Sequence, residues 1–154
     1  MDFARDIAVI SGSPVVDEVL RQLCDLTEMG FAAVARVTED RWIACQVLDR
    51  IGFGLEPGSE LKIKTTICDE IRESGKAVFI DCVADAEVWR AHPTPVLYGF
   101  QSYVSLPLHR ADGSFFGTLC AIDPEPHSVE AATVQAEIRK LGDRVVEVLD
   151  KELS

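Results

Sequence analysis

The sequence predicts an α+β domain. A mostly antiparallel sheet carries the N- and C-terminal helices on one face, with loops and short helices over the other. Three observations predict it. Two pairs of strand-like segments are joined by turns too short for a crossover, helical stripes stand at both ends of the chain, and strands outnumber the helices available to connect them. At 154 residues, one domain with its own core is expected, about 1–154 with the core over about 14–150.

The elements follow in order. Residues 2–10 read as a short helix, and Pro14 suits the first turn of a longer one, PVVDEVLRQLCDLTEMG. Val16, Val19, Leu20, Leu23 and Leu26 recur at steps of three and four, and Gly30 is the expected stop. FAAVARVT, 31–38, and WIACQVLD, 42–49, form a hairpin around the turn TEDR, and GFGLEPGSEL, 52–61, reads as a loop. TTICDEIRESG, 65–75, reads as a helix capped by Thr65 or Thr66, with Asp69 and Glu70 near its positive end and Gly75 closing it. KAVFID, 76–81, is a short strand, and 82–101 a long connection. QSYVSLPLH, 101–109, and SFFGTLCAID, 114–123, form a second hairpin turning at ADG. Pro107 marks its strand as an edge or a bulge, because proline lacks the ladder N–H.

The last helix is expected over about 129–152. Val134, Ile138, Leu141, Val145 and Val148 step by four, three, four and three. This stripe fits a seam for a homodimer or signalling helix, and equally a face packed on its own domain. The chain ends shortly after it, where an output module is expected.

Composition narrows the partners. Hydrophobic residues make up 47% and charged residues 27%, a globular balance, and the net charge is −11. Such a charge excludes a nucleic-acid surface and disfavours an anionic membrane. No apolar run approaches the roughly 18 residues of a spanning helix, and the N-terminus lacks a secretory pattern, so the expected location is the cytoplasm. The cysteines at 24, 45, 68, 82 and 120 are odd in number and form no CxxC pair, so neither a disulfide framework nor a metal site is expected.

Long ordered loops in a small domain are usually functional, and 50–64 and 82–101 are the chain available to cover the second sheet face. AHPTPVLYGF, 91–100, reads as a stiff wall, since Pro93 and Pro95 fix the backbone and His92 is held extended before proline. Its alternative is plain core packing. Loop position makes Cys68, Asp69, Cys82, Trp89, His92, Tyr98, Phe100 and Ser102 the candidate ligand-binding residues. Asp69 and Glu70 are adjacent on a helix and point apart, so they form no catalytic pair. GFGLEPG lacks the Lys-Ser/Thr of a phosphate loop, and no Ser-His-Asp order, GxGxxG or HExxH is present.

Over roughly 14–150 the chain resembles a GAF domain of the type attached to bacterial sensor histidine kinases. LRQLCDLTEMGFAAVARVTEDRWIACQV, SYVSLPLHRADGSFFGTLCAIDPEP and TTICDEIRESGKAVFIDCVADAEVWRAHPTPVLYGF carry the resemblance. It implies a GAF-like, PAS-related fold and a sensory or regulatory role with a kinase or other output module, the ligand being unknown. Bilin-binding relatives carry a cysteine where this chain has Ala91, so covalent bilin is not expected there. The cyclic-nucleotide pattern is missing. Haem would need His92 as axial ligand and is not expected, with His109 and His127 expected in solvent. A resemblance to free methionine-(R)-sulfoxide reductase supplies an enzymatic alternative. Cys68 matches its active thiol position, but HPTPVLYGFQS lacks the second thiol, for which Cys82 would have to substitute. A ligand-free dimerisation module is the third reading. The expectation is a non-enzymatic sensor.

Overall fold

The structure, a computed structural model, describes residues 3–38, 41–61, 71, 74–85 and 99–152. Helices α1 (Phe3–Ser11) and α2 (Pro14–Thr27) precede the hairpin β1 (Phe31–Val37) and β2 (Trp42–Asp49). Two short strands follow, β3 (Glu60–Leu61) and β4 (Val78–Ile80), then the hairpin β5 (Ser102–His109) and β6 (Phe115–Asp123), and helix α3 (Ala132–Glu152). The six strands form one antiparallel sheet ordered β3-β2-β1-β6-β5-β4.

Local chemistry explains the boundaries. Ser13 caps α2 by accepting from the Val16 N–H at 3.3 Å, and Pro14 occupies the first turn where no N–H is needed. The helix ends at Thr27, earlier than the glycine stop expected at Gly30, because Glu28 takes the left-handed conformation at φ 64° and the Thr27 hydroxyl bonds the Leu23 carbonyl at 2.7 Å. Gly30 serves a different need. A Cβ there would run into the Ile51 side chain. The pairing of Glu60–Leu61 with Trp42–Ile43 turns the end of the predicted 52–61 loop into β3, which a two-bond Arg41–Glu60 pair at 2.9 Å holds. Of the predicted 65–75 helix, Ile71 and Ser74 are helical, and Gly75, at φ 70°, donates to the Ile71 carbonyl at 2.7 Å. Its other residues lie outside those described.

Pro107 is only partly as expected. Its strand is internal to the sheet, but β4 pairs no further along β5 than Ser105, so the proline lies beyond the last β4 pair and next to a bulge at Leu108/His109.

The sheet divides two cores. On one face, Val16, Leu20 and Leu23 of α2 and Ile138, Leu141, Val145 and Leu149 of α3 pack on Val34, Val104, Leu106 and Leu119. The 3–4 stripe of α3 is therefore spent inside its own domain, with Val134 and Val148 partly buried at its margin. Of the two uses expected for this stripe, Ile138, Leu141 and Val145 serve the packing of the helix on its own domain. Gly142 lets α3 approach β5 so closely that a Cβ would strike Leu106 Cδ2. On the other face lie Phe31, Ala33, Ala35, Trp42, Ile80, Phe100, Tyr103, Cys120 and Ile122.

Gly117 on β6 faces the Ala35 carbonyl so closely that any Cβ would strike backbone. We expect Gly117→Ala to destabilise the domain by about 1–3 kcal/mol, the usual range for overpacking. Gly142→Ala should cost less, since a flexible Leu106 methyl can move and alanine favours the helix by about 1 kcal/mol. Urea melts of the two variants check the order; a larger loss at Gly142 contradicts it.

Candidate ligand groove

The face away from the long helices has a graded floor. Strand register aligns Ala33, Cys120 and Ser105 in one row across β1, β6 and β5, and places Ala35 beside Thr118 and Ala44. The next row is bulky: Phe31, Ile122, Tyr103 and Ile80. Small side chains at the middle and large ones at the end raise the floor toward the loops that follow β2 and precede β5.

Those loops are built by two carboxylates. Asp49, at the end of β2, accepts the N–H of Ile51 at 3.1 Å, of Phe53 at 3.0 Å and of Gly54 at 2.8 Å. The chain can wrap one side chain this tightly because Gly52 and Gly54 take φ of 70° and 100°. The wrap turns Phe53 onto Phe31, ring centroids 5.0 Å apart. Burial works against the Asp49 charge, but the N–H donations of Gly54, Phe53, Ile51 and Gly52 outweigh it and hold the carboxyl below its ordinary 3.8.

The second carboxylate is Asp123, buried at the end of β6. Its Oδ2 accepts from Gly30 N at 2.8 Å and its Oδ1 from Glu125 N at 2.8 Å, and His127 Nε2 lies 3.2 Å from Oδ1. On the far side, Gly99 at φ 71° turns the chain so that Phe100 enters the core and stacks on Tyr103, centroids 5.0 Å apart. Between these parts runs a groove of about 500 Å³, lined chiefly by Ile51, Phe53, Leu55, Phe100, Ile122 and Asp123.

Of the residues singled out from the sequence, Phe100 lines this groove. Ser102 does not. It is fully buried and its hydroxyl donates to the Glu125 carbonyl at 2.8 Å, so it ties β5 to the segment after β6. Cys82 is half-buried, its thiol 3.6 Å from Gln101 Oε1, and it lies outside the groove lining. Cys68, Asp69, Trp89, His92 and Tyr98 lie outside the described residues, as does Ala91. His109 is exposed and edges onto Phe115, as expected, but His127 is largely buried against Asp123 rather than solvated. Asp49 and Asp123 were missed. The available signal was an acid closing each strand, immediately before the glycine loop in one case and the proline-rich segment in the other.

Burial raises the Cys24 thiol to about 11 and the Cys45 thiol to about 12, which removes both as nucleophiles at neutral pH. Among the described residues, no group of three or more His, Cys, Asp or Glu side chains is arranged to hold a metal ion, and no helix is long and apolar enough to cross a membrane.

The sequence profile of the GAF domain matches residues 13–138. The chain belongs to the GAF domain family. No curated protein matches it by sequence. Solved GAF domains share its fold across nearly the whole length. One is the GAF domain of a two-component sensor histidine kinase from Bacillus halodurans, 11% identical over 92% of this chain and 95% of that one, TM-score 0.68. Another is the GAF domain of an Acinetobacter phosphoenolpyruvate-protein phosphotransferase, 12% identical over 96% and 89%, TM-score 0.67. A third similar structure is the type II free methionine-R-sulfoxide reductase of Thermoplasma acidophilum, 11% identical over 96% of each chain, TM-score 0.67. At such identities the likeness is one of fold. The GAF fold is a sensory and regulatory one, with neighbours that include kinase-associated domains.

Asp49 gives a pH test. Its folded value is lowered, so the stability it adds is present above its ordinary 3.8 and is lost as pH falls through the folded value. At neutral pH, Asp49→Asn should cost about 1–2 kcal/mol, since the bonds made are charge-assisted. Protection from amide exchange at 51, 53 and 54, relative to the free-chain rate at the same pH, should fall in the variant at pH 7, and in the native protein as pH drops through the folded value of Asp49. Unchanged exchange at those amides would contradict the assignment.

Proposed function

We propose that this chain is a non-enzymatic sensory GAF module of the cytoplasm that takes a small molecule in its loop-side groove and passes occupancy to a histidine kinase or other output module through α3. The groove carries the reading. It has a built lining of two aromatic and three aliphatic side chains, shaped by glycines and a buried acid, in a volume suited to a small ligand.

The groove also has a physical route to α3. Asp123 lies in its wall and holds Glu125 and His127. The His127 N–H then donates to the Asp81 carbonyl at 3.1 Å. The Asp81 carboxylate accepts from Val129 N at 2.6 Å and Glu130 N at 2.8 Å, and the Asp81 N–H donates to Glu130 Oε2 at 2.9 Å. Two residues later α3 begins. A ligand that displaces the groove wall therefore pulls on a hydrogen-bonded strap leading to the helix.

The thiol-enzyme alternative rests on Cys68 and Cys82 acting together, and Cys82 is the more exposed of the four described cysteines. It predicts thiol-dependent sulfoxide turnover abolished by either Cys→Ser change.

Native mass spectrometry of freshly purified protein, set against its denatured mass, tests the sensor reading. The expected result is a mass excess lost on denaturation. A bare chain whose melting temperature no member of a metabolite panel raises would sink it and leave a ligand-free interaction module. An adduct that survives denaturation would replace it with covalent chemistry at a cysteine.

A further inference from the structure

Among the described residues the groove is electrostatically one-sided. Among its described lining residues the only charged side chain is Asp123; the rest are apolar side chains, glycines and a proline. The neighbouring cation, Arg50, is turned away to Asp25 at 3.1 Å.

The glycine loop would otherwise be a natural seat for an anion, since backbone N–H groups gathered by alternating φ form an anion-binding concavity. That concavity is already filled from within. Asp49 takes the N–H groups of residues 51, 53 and 54. A phosphate or carboxylate ligand would find these donors occupied by one carboxylate and meet a second, Asp123, in the groove wall. The overall charge of −11 adds repulsion at longer range.

A cation meets the opposite situation. Asp123 Oδ2 accepts a single hydrogen bond, from Gly30, and a carboxylate oxygen has about two acceptor sites. His127 occupies the other oxygen, Oδ1, together with Glu125 N. The rings of Phe53 and Phe100 line the same space, and aromatic faces attract ammonium groups.

We propose that the groove selects a small organic cation with a planar apolar body, an aromatic amine in class, with the ring against Phe53 and Phe100 and the ammonium at Asp123 Oδ2. This rests on the reading of the groove as a ligand site. Specificity comes from exclusion as well as attraction, because anions of the same shape are refused by both carboxylates.

Indole, tryptamine and indole-3-acetate share one ring and differ in charge, so they serve as probes. Each is titrated into isotope-labelled protein while the backbone amides of Gly52, Gly54 and Gly99 are followed by NMR. Tryptamine should shift these amides with a Kd on the order of tenfold below that of indole-3-acetate, with indole between them. Asp123→Asn should bring tryptamine and indole together while indole still binds. Because Asp123 also holds Gly30 and His127, that variant is used only where its circular dichroism is native; otherwise the native protein's ranking of the three probes decides. Equal or tighter binding of indole-3-acetate would overturn the cation preference and leave the small-molecule reading standing. Tryptamine acting away from the three glycines, or not at all, would overturn the proposal for this groove. Native mass spectrometry judges the wider sensor reading independently.

Discussion

The Asp123 carboxylate is the interaction on which most of the rest depends. It stands at the end of β6, the strand through which the second hairpin pairs with the first, and is 6% exposed. One oxygen fixes Gly30 just before β1 begins; the other fixes the turn at Glu125 and the imidazole of His127. Two pieces of chain distant in sequence, the start of β1 and the segment 123–127, thus meet at one ion. A buried carboxylate is tolerable only when hydrogen-bonded, and here every bond also has a positional consequence. Gly30 must stay glycine because Ile51 crowds it, and Ile51 opens the glycine loop that forms the groove.

Asp49 performs the complementary task at the end of β2. Its three short bonds run to residues two, four and five positions ahead, so it organises one loop rather than joining remote segments. Together the two acids explain how an open sheet end can hold a shaped groove without help from a metal or a disulfide among the described residues. Each replaces solvent around loop N–H groups with a fixed acceptor, at the cost of placing negative charge beside the ligand space. The proposed cation preference rests on that same charge, since carboxylates that set the walls also repel anions.

The regular elements were legible because their chemistry is local. Strands β1, β2, β5 and β6 follow from alternation and turn residues, and β2 falls on the predicted span Trp42–Asp49. Pro14 in the first turn of α2 was equally plain, whereas the Ser13 cap before it was not read. What escaped was set by distant partners. The segment Glu60–Leu61 reads as loop until Trp42 and Ile43 lie beside it. Gly30 looks like a helix stop until Ile51 is seen against it. His127 reads as solvated until the Asp81 carbonyl is seen to accept its backbone N–H at 3.1 Å. At the site, Phe100 was legible from the Gly-Phe step that enters β5, whereas Ser102 was placed by position alone and its bond to Glu125 lies across the chain. The acids at 49 and 123 gave no periodic signal, because a capping carboxylate is defined by what it reaches.

The α3 stripe shows how packing limits signalling. A 3–4 repeat of apolar residues fits a partner helix or a sheet equally well, and here α2 and β5 supply the matching surface first. Gly142 seats the helix directly on Leu106. Sliding α3 by one residue would bring a side chain into that contact, and close-packed interiors do not deform gradually. A translation of the whole helix is therefore an expensive response to a ligand. The strap from Asp123 to Glu130 is less constrained, since hydrogen bonds rather than interdigitated side chains hold most of it, with only Val129 fully buried between 124 and 130. In the proposed sensor, ligand-driven change should then concentrate in the strap and the first turn of α3, where bonds to Asp81 can exchange with water, while the helix body stays seated on its core.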